Sequence, residues 1–190
     1  MITKAIGKDD ILFEVGMRKN ILKLFALLIL VLFLLYNIVW TIYVRETYGK
    51  FNKALGYSSM SLHASQDQDG YTYEVKSPTW PTFTGNLYIT QDMSMDENGL
   101  KEDAVDILIW PIRNRTFEIV IMVERNQWDE EEQATCIEEQ GLLLDENMNL
   151  ITKDDLEAQQ LYEEHIDDIR NLYKLAYDKW GILNYEVDAW

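Results

Sequence analysis

One unbroken apolar run and two different hydrophobic periodicities divide this chain into three materials. From residue 24 to residue 36 every side chain is apolar or aromatic, and the run continues to residue 44 with Asn37 and Thr41 as its only polar interruptions. Residues 24–44 form a helix about 31 Å long at ~1.5 Å rise per residue, matched to a hydrocarbon core of ~30 Å. The run predicts a membrane span. Beyond it a period of two takes over, and residues 57–64, Tyr71–Lys76, 84–90, 104–110 and 117–124 read as strands. Residues 67–70, residues 96–99 with their Asn98-Gly99 pair, and Asn114-Arg115 carry turn chemistry between them. Links this short predict an antiparallel meander, and a further small hairpin is expected at 142–151.

The period then lengthens. Thr152 with Asp155 resembles a capping box, and Leu161, His165, Ile169, Tyr173, Ala176 and Trp180 recur at three- and four-residue spacing until Gly181. This predicts one amphipathic helix of about 28 residues. The expected fold is therefore α+β: an N-terminal transmembrane helix, then an antiparallel β-meander sheet covered by one long C-terminal helix. The matching domain division is a short tail at 1–20, a transmembrane anchor at 21–45, a juxtamembrane linker at 46–56 and an α+β domain at 57–190. The tether is expected to contribute no core residue, and the apolar tail 182–190 is expected to dock on the domain.

Charge adds an address. Met1 to Arg45 carries six Lys/Arg against three Asp/Glu, whereas Glu46 to Trp190 carries eleven against thirty, a net of −19. Lys4, Lys8, Arg18, Lys19 and Lys23 precede the span and Arg45, Lys50 and Lys53 follow it, a bias that favours a cytoplasmic N-terminus. Trp40, Tyr43 and Tyr48 are then candidates for an outer aromatic belt. The apolar core exceeds the roughly 7 to 15 residues of a cleaved signal peptide, which points to an uncleaved signal anchor holding an extracytoplasmic domain in a cell membrane. Asn37 within the span reads as a tolerated passenger. So acidic a domain lacks the basic footprint that nucleic acid demands, and anionic lipid repels it. Fifteen Asp/Glu and a single basic residue, Lys153, lie between Asp129 and Asp168, which reads as a solvated face or a docking surface for a basic partner.

Candidate chemistry is sparse. The single cysteine, Cys136, cannot close an intramolecular disulfide, and it reads as a small buried residue. His63 sits in a strand and His165 on the apolar helix face, so both read as structural. No HExxH, CxxC or glycine-rich phosphate loop occurs. Asp145, Asn147 and Asn149 occupy positions 1, 3 and 5 of an EF-hand-like loop and are weak metal candidates; Leu150 and Leu156 then stand where that loop needs Gly and Glu, so an ordinary turn fits better. Asp67 to Gly70 is likewise a turn first. Trp80-Pro81 and Trp110-Pro111 mark strand boundaries, where a tryptophan is ordinarily buried but can anchor a partner. No cofactor is implied.

The segments Gly70-Tyr71-Thr72-Tyr73, Val75-Lys76-Ser77-Pro78, Phe83-Thr84-Gly85-Asn86-Leu87 and Leu108-Ile109-Trp110-Pro111 resemble the outer part of small single-pass membrane-anchored proteins of Gram-positive bacteria. The resemblance covers about forty residues. It implies a cell-membrane location in such a bacterium and brings no catalytic residue. The functional expectation is a non-catalytic, membrane-tethered domain that binds a protein partner or serves a membrane complex as an accessory subunit. An extracytoplasmic cation or ligand sensor is the alternative, and a small glycan-acting enzyme with paired carboxylates a second.

Overall fold

The computed structural model describes residues 8–91, 104–111, 117–128, 134–152 and 155–185. The chain forms two compact units, Met1–Ile42 and Tyr43–Trp190. Helix α1 (Lys8–Ala54) provides the whole described part of the first unit and the opening turns of the second. From Ile21 to Ile42 its Leu, Ile, Val and Phe side chains are exposed, with Leu22, Phe25 and Val39 each more than half exposed. It is long and apolar enough to cross a membrane. Asn37 donates its amide to the Phe33 carbonyl at 2.7 Å, so this polar group is satisfied within its own helix.

The second unit is an α+β domain. Strands β1 (His63–Gln68), β2 (Tyr71–Lys76), β3 (Asn86–Gln91), β4 (Ala104–Pro111), β5 (Phe117–Trp128) and β6 (Ala134–Leu144) form one antiparallel sheet in sequence order. The β1–β2 turn places Asp69 and Gly70 both at positive φ, the two-residue hairpin geometry that asparagine, aspartate and glycine favour. Side chains alternate across the pleat, and one face carries Tyr73, Val75, Leu87, Ile89, Ile107, Ile109, Ile119 and Ile121, all buried in a single core. Two helices, α2 (Leu156–Glu164) and α3 (Ile166–Trp180), pack on this face through Leu161, Ile169, Leu172, Tyr173, Ala176 and Trp180.

Four expectations need correction. The 28-residue helix is two helices, with His165 as the C-cap of one and the N-cap of the other. A straight helix would stack Glu163 on Asp167 and Glu164 on Asp168 at four-residue spacing, whereas a break gives Asp167 and Asp168 a new helix N-terminus. The start of α2 is capped by Asp155, whose carboxylate accepts from the backbone of Glu157 and Ala158. The first strand begins at His63 instead of residue 57, because Gly56 at φ 82° and the Ser58–Ser61 turn occupy the earlier stretch. β6 reaches back to Ala134 through Glu138, Glu139, Gln140 and Gly141, where pairing with β5 overrides an unfavourable pattern.

The fourth correction concerns the tether. The stretch taken as a linker is helical to Ala54 and buries Tyr48, Phe51 and Leu55 in the domain core, and Val44, at the end of the stretch taken as the anchor, is buried as well. Tyr48 is fully buried and does not belong to an aromatic belt. Its hydroxyl donates to the Gly85 carbonyl at 3.1 Å and accepts from the Gly85 N–H at 3.0 Å. Gly85 has no room for a side chain, since a Cβ there would stand 2.2 Å from the Lys76 carbonyl oxygen. Phe51 and Tyr73 both meet the Trp180 ring edge to face, at 6.3 and 6.0 Å. Buried Asn52 donates to the Ser61 carbonyl and the Ser77 hydroxyl at 2.9 and 3.1 Å, tying the helix end to the start of the sheet.

Candidate interaction surface

The six strands have a second face, and no described helix packs on it. Alternation assigns to it Glu74 of β2, Tyr88 of β3, Asp106, Leu108 and Trp110 of β4, Glu118, Val120, Met122 and Glu124 of β5, and Glu139, Gly141 and Leu143 of β6. Register joins them into rows. Glu74 stands opposite Tyr88, Tyr88 opposite Leu108, Leu108 opposite Val120 and Val120 opposite Leu143. In the flanking rows Trp110 faces Glu118, Asp106 faces Met122, and Glu124 faces Glu139.

An antiparallel sheet with one wet face normally alternates apolar and polar side chains. β4 and β5 do not. Ala104 to Trp110 is interrupted only by Asp106, and Phe117 to Val123 only by Glu118, the pattern of strands buried on both sides. Leu108, Trp110, Val120, Met122 and Leu143 are nevertheless only partly buried. They form an apolar band across β4, β5 and β6. Gly141 opens a gap in that band, where an added Cβ would reach Val120 at 3.5 Å and the Met122 sulfur at 3.7 Å. At the Leu143 end the band runs into an open groove of about 430 Å³ lined by Phe117, Glu118, Leu143 and Ile151 among others, with Ile151 54% exposed.

Carboxylates border the band. Asp106 is buried and accepts from the Tyr88 hydroxyl at 2.5 Å and the Gln91 N–H at 3.2 Å. Burial, and then this accepting carboxylate, push the Tyr88 hydroxyl well above the usual tyrosine range. Burial raises the Glu124 carboxyl as well, with Asp106 and Glu139 adding repulsion. Glu74 is held by Lys76 at 3.0 Å and lies 3.6 Å from His63.

The residues singled out by chemistry lie elsewhere. Asp145, Asn147 and Asn149 come together in the turn after β6, where the Asp145 carboxylate accepts from the backbone of Asn147 at 2.8 Å and from the backbone and side chain of Asn149 at 2.9 Å each. Tyr173, Tyr162, Asn184 and Phe117 all hydrogen-bond into the same turn, from α3, α2, the chain after α3 and β5. It is a clasp that ties the helices to the sheet. No cluster of three or more metal-ligating side chains occurs among the described residues. Asp67 closes the β1–β2 hairpin by accepting from the Thr72 hydroxyl at 2.8 Å. His165 is buried at the helix break with Nδ1 3.7 Å from Asp168, far in the chain from exposed His63. Trp80 is 51% exposed, against the expectation of burial, while Trp110 lies on the second sheet face. Cys136 lies within β6. The turns expected at 96–99 and 114–115, and the end of the tail from residue 186, fall outside the described residues.

Strict alternation along β4 and β5 does not reveal the second face. The signal was present in the consecutive apolar run Ile119-Val120-Ile121-Met122-Val123. No protein-family model matches the chain. No curated protein and no solved structure is detectably similar to it.

Proposed function

We propose that this chain is a membrane-anchored, non-catalytic interaction domain that receives a protein partner on the second face of its sheet. The observation that carries the reading is the mismatch on β4 and β5, whose sequences are apolar on both sides while the described helices cover one side. A patch of this kind with a polar rim is the ordinary signature of a protein-binding surface. The Lys/Arg bias around the span supports a cytoplasmic N-terminus and an extracytoplasmic domain, and the resemblance to anchored Gram-positive proteins agrees with a bacterial cell membrane. An accessory subunit of a membrane complex fits this anatomy. The Asp106 carboxylate already accepts two hydrogen bonds and the band beside it is apolar, which supports the non-catalytic reading over a glycan-acting enzyme with paired carboxylates.

The test is native mass after mild detergent extraction from the source membranes. Wild-type chain is expected in a particle larger than itself and its detergent, and Val120→Lys alone is expected to release it at its own mass while the domain still melts cooperatively. Equal mass for both proteins contradicts the reading.

A further inference from the structure

We infer that the connection between β2 and β3, residues 77–85, is a second membrane contact of this chain, with Trp80 seated among the lipid head groups of the bilayer that α1 crosses. The inference rests on the reading of α1 as an anchor. Three contacts fasten the connection to α1. The Ser77 hydroxyl accepts from Asn52 at 3.1 Å, the Gly85 backbone exchanges two hydrogen bonds with Tyr48, and Phe83 meets the Tyr43 ring edge to face at 5.2 Å. From Asn52 back to Tyr43 is nine residues of helix, about 13 Å at ~1.5 Å per residue, so the connection reaches along α1 toward the span. Tyr43 follows Ile42 directly and is the last residue but one of the apolar run. Phe83 therefore touches the end of the run itself.

The tip of the connection suits a boundary between water and hydrocarbon. Thr82 donates both its N–H and its hydroxyl to the Thr79 carbonyl at 2.7 Å, which closes a turn with Trp80 and Pro81 at its centre. All four residues of that turn are exposed, Trp80 to 51%. An indole joins an apolar body to a polar N–H, and tryptophan is enriched at head-group level for that reason. No Asp, Glu, Lys or Arg occurs from Ser77 to Gln91, so the connection can shed water without stranding a charge of its own. An exposed tryptophan also suits a protein or a glycan. Lipid is the occupant favoured here because the Phe83 contact ties the connection to a residue of the apolar run, wherever any partner sits.

The experiment uses purified full-length chain in phosphatidylcholine vesicles, with a photo-crosslinking amino acid in place of Trp80 or, separately, Thr79, followed by mass spectrometry of the conjugated peptide. The same probe at Leu30 in the apolar run and at Gln68, which pairs with Tyr71 at the far end of β2, supplies the references. Lipid conjugates are expected from Leu30, Thr79 and Trp80, and none from Gln68. Conjugates from Leu30 but from neither Thr79 nor Trp80, in protein that melts like the unsubstituted chain, overturn the membrane contact and leave the anchor standing. Equal lipid yield from Gln68 and Trp80, or a Trp80 conjugate to this chain in place of lipid, overturns the contact as well. No lipid conjugate from Leu30 overturns the anchor reading and this inference with it.

Discussion

The two faces of the sheet are built from the same strands, with residues that alternate along a single backbone, yet they differ in kind. On the helix side Ala64, Tyr73, Val75, Leu87, Ile89, Val105, Ile107, Ile109, Ile119, Ile121, Val123, Leu142 and Leu144 are none of them more than 4% exposed. The second face carries Glu74, Tyr88, Leu108, Val120 and Leu143 along one unbroken row, each only partly buried. The first face holds the domain together, and its complement is in the chain: the end of α1, then α2 and α3. The second has apolar area without a described complement. Changes on the first should therefore register in stability, and changes on the second in association.

The largest effect is expected from shortening α1. A fragment beginning at residue 50 loses Val44 and Tyr48, both fully buried, and should be roughly 3–6 kcal/mol less stable than one beginning at residue 43, at ~1.5–3 kcal/mol for each buried large side chain. Urea denaturation of the two fragments measures this, and equal stability would mean that the helix end is dispensable. Next comes the sharpest contrast between the faces. Ile121→Ala should cost about 2–5 kcal/mol, and Val120→Ala, one residue away on the other side, less than about 1 kcal/mol, because only the first leaves a closed cavity. Similar losses from both would dissolve the distinction between faces.

Tyr48→Phe should cost about 1–3 kcal/mol, since it strips both partners from the Gly85 backbone while keeping the ring. The smallest effect belongs to the second face itself. The Glu124 carboxyl is raised in the folded state, so the folded protein holds its proton more tightly than the unfolded chain, and stability falls as pH rises through that raised value. Glu124→Gln should thus stabilise at neutral pH, by no more than about 1 kcal/mol at so open a site, and the gain should vanish once wild-type Glu124 is protonated in acid. A gain that persists in acid would assign the effect to packing instead of charge.

Much of this architecture was legible from periodicity. Tyr71–Lys76 lies where its alternation puts it, and the apolar run of α1 announces itself. Errors came where tertiary pairing outweighed local pattern. The polar β1 is a strand because β2 supplies its hydrogen bonds, and the acid-rich start of β6 is one because β5 does. The end of α1 looked like a linker because Arg45, Glu46, Lys50 and Lys53 interrupt the run, although Val44, Tyr48, Phe51 and Leu55 keep helical spacing beneath those charges. The candidate surface was harder. Nothing in a one-dimensional pattern says which of two apolar faces the chain itself covers.

The central claim is that the second face is bare in the isolated domain and covered in the membrane. Hydroxyl-radical footprinting of purified residues 43–190 and of full-length chain in native membranes tests it directly, with Trp110 and Met122 as reporters on the second face and Ile107 and Ile121 on the first. The account predicts strong labelling of Trp110 and Met122 in the purified domain, clear protection of both in membranes, and no labelling of the two isoleucines in either. Equal labelling of Trp110 and Met122 in both preparations would contradict it.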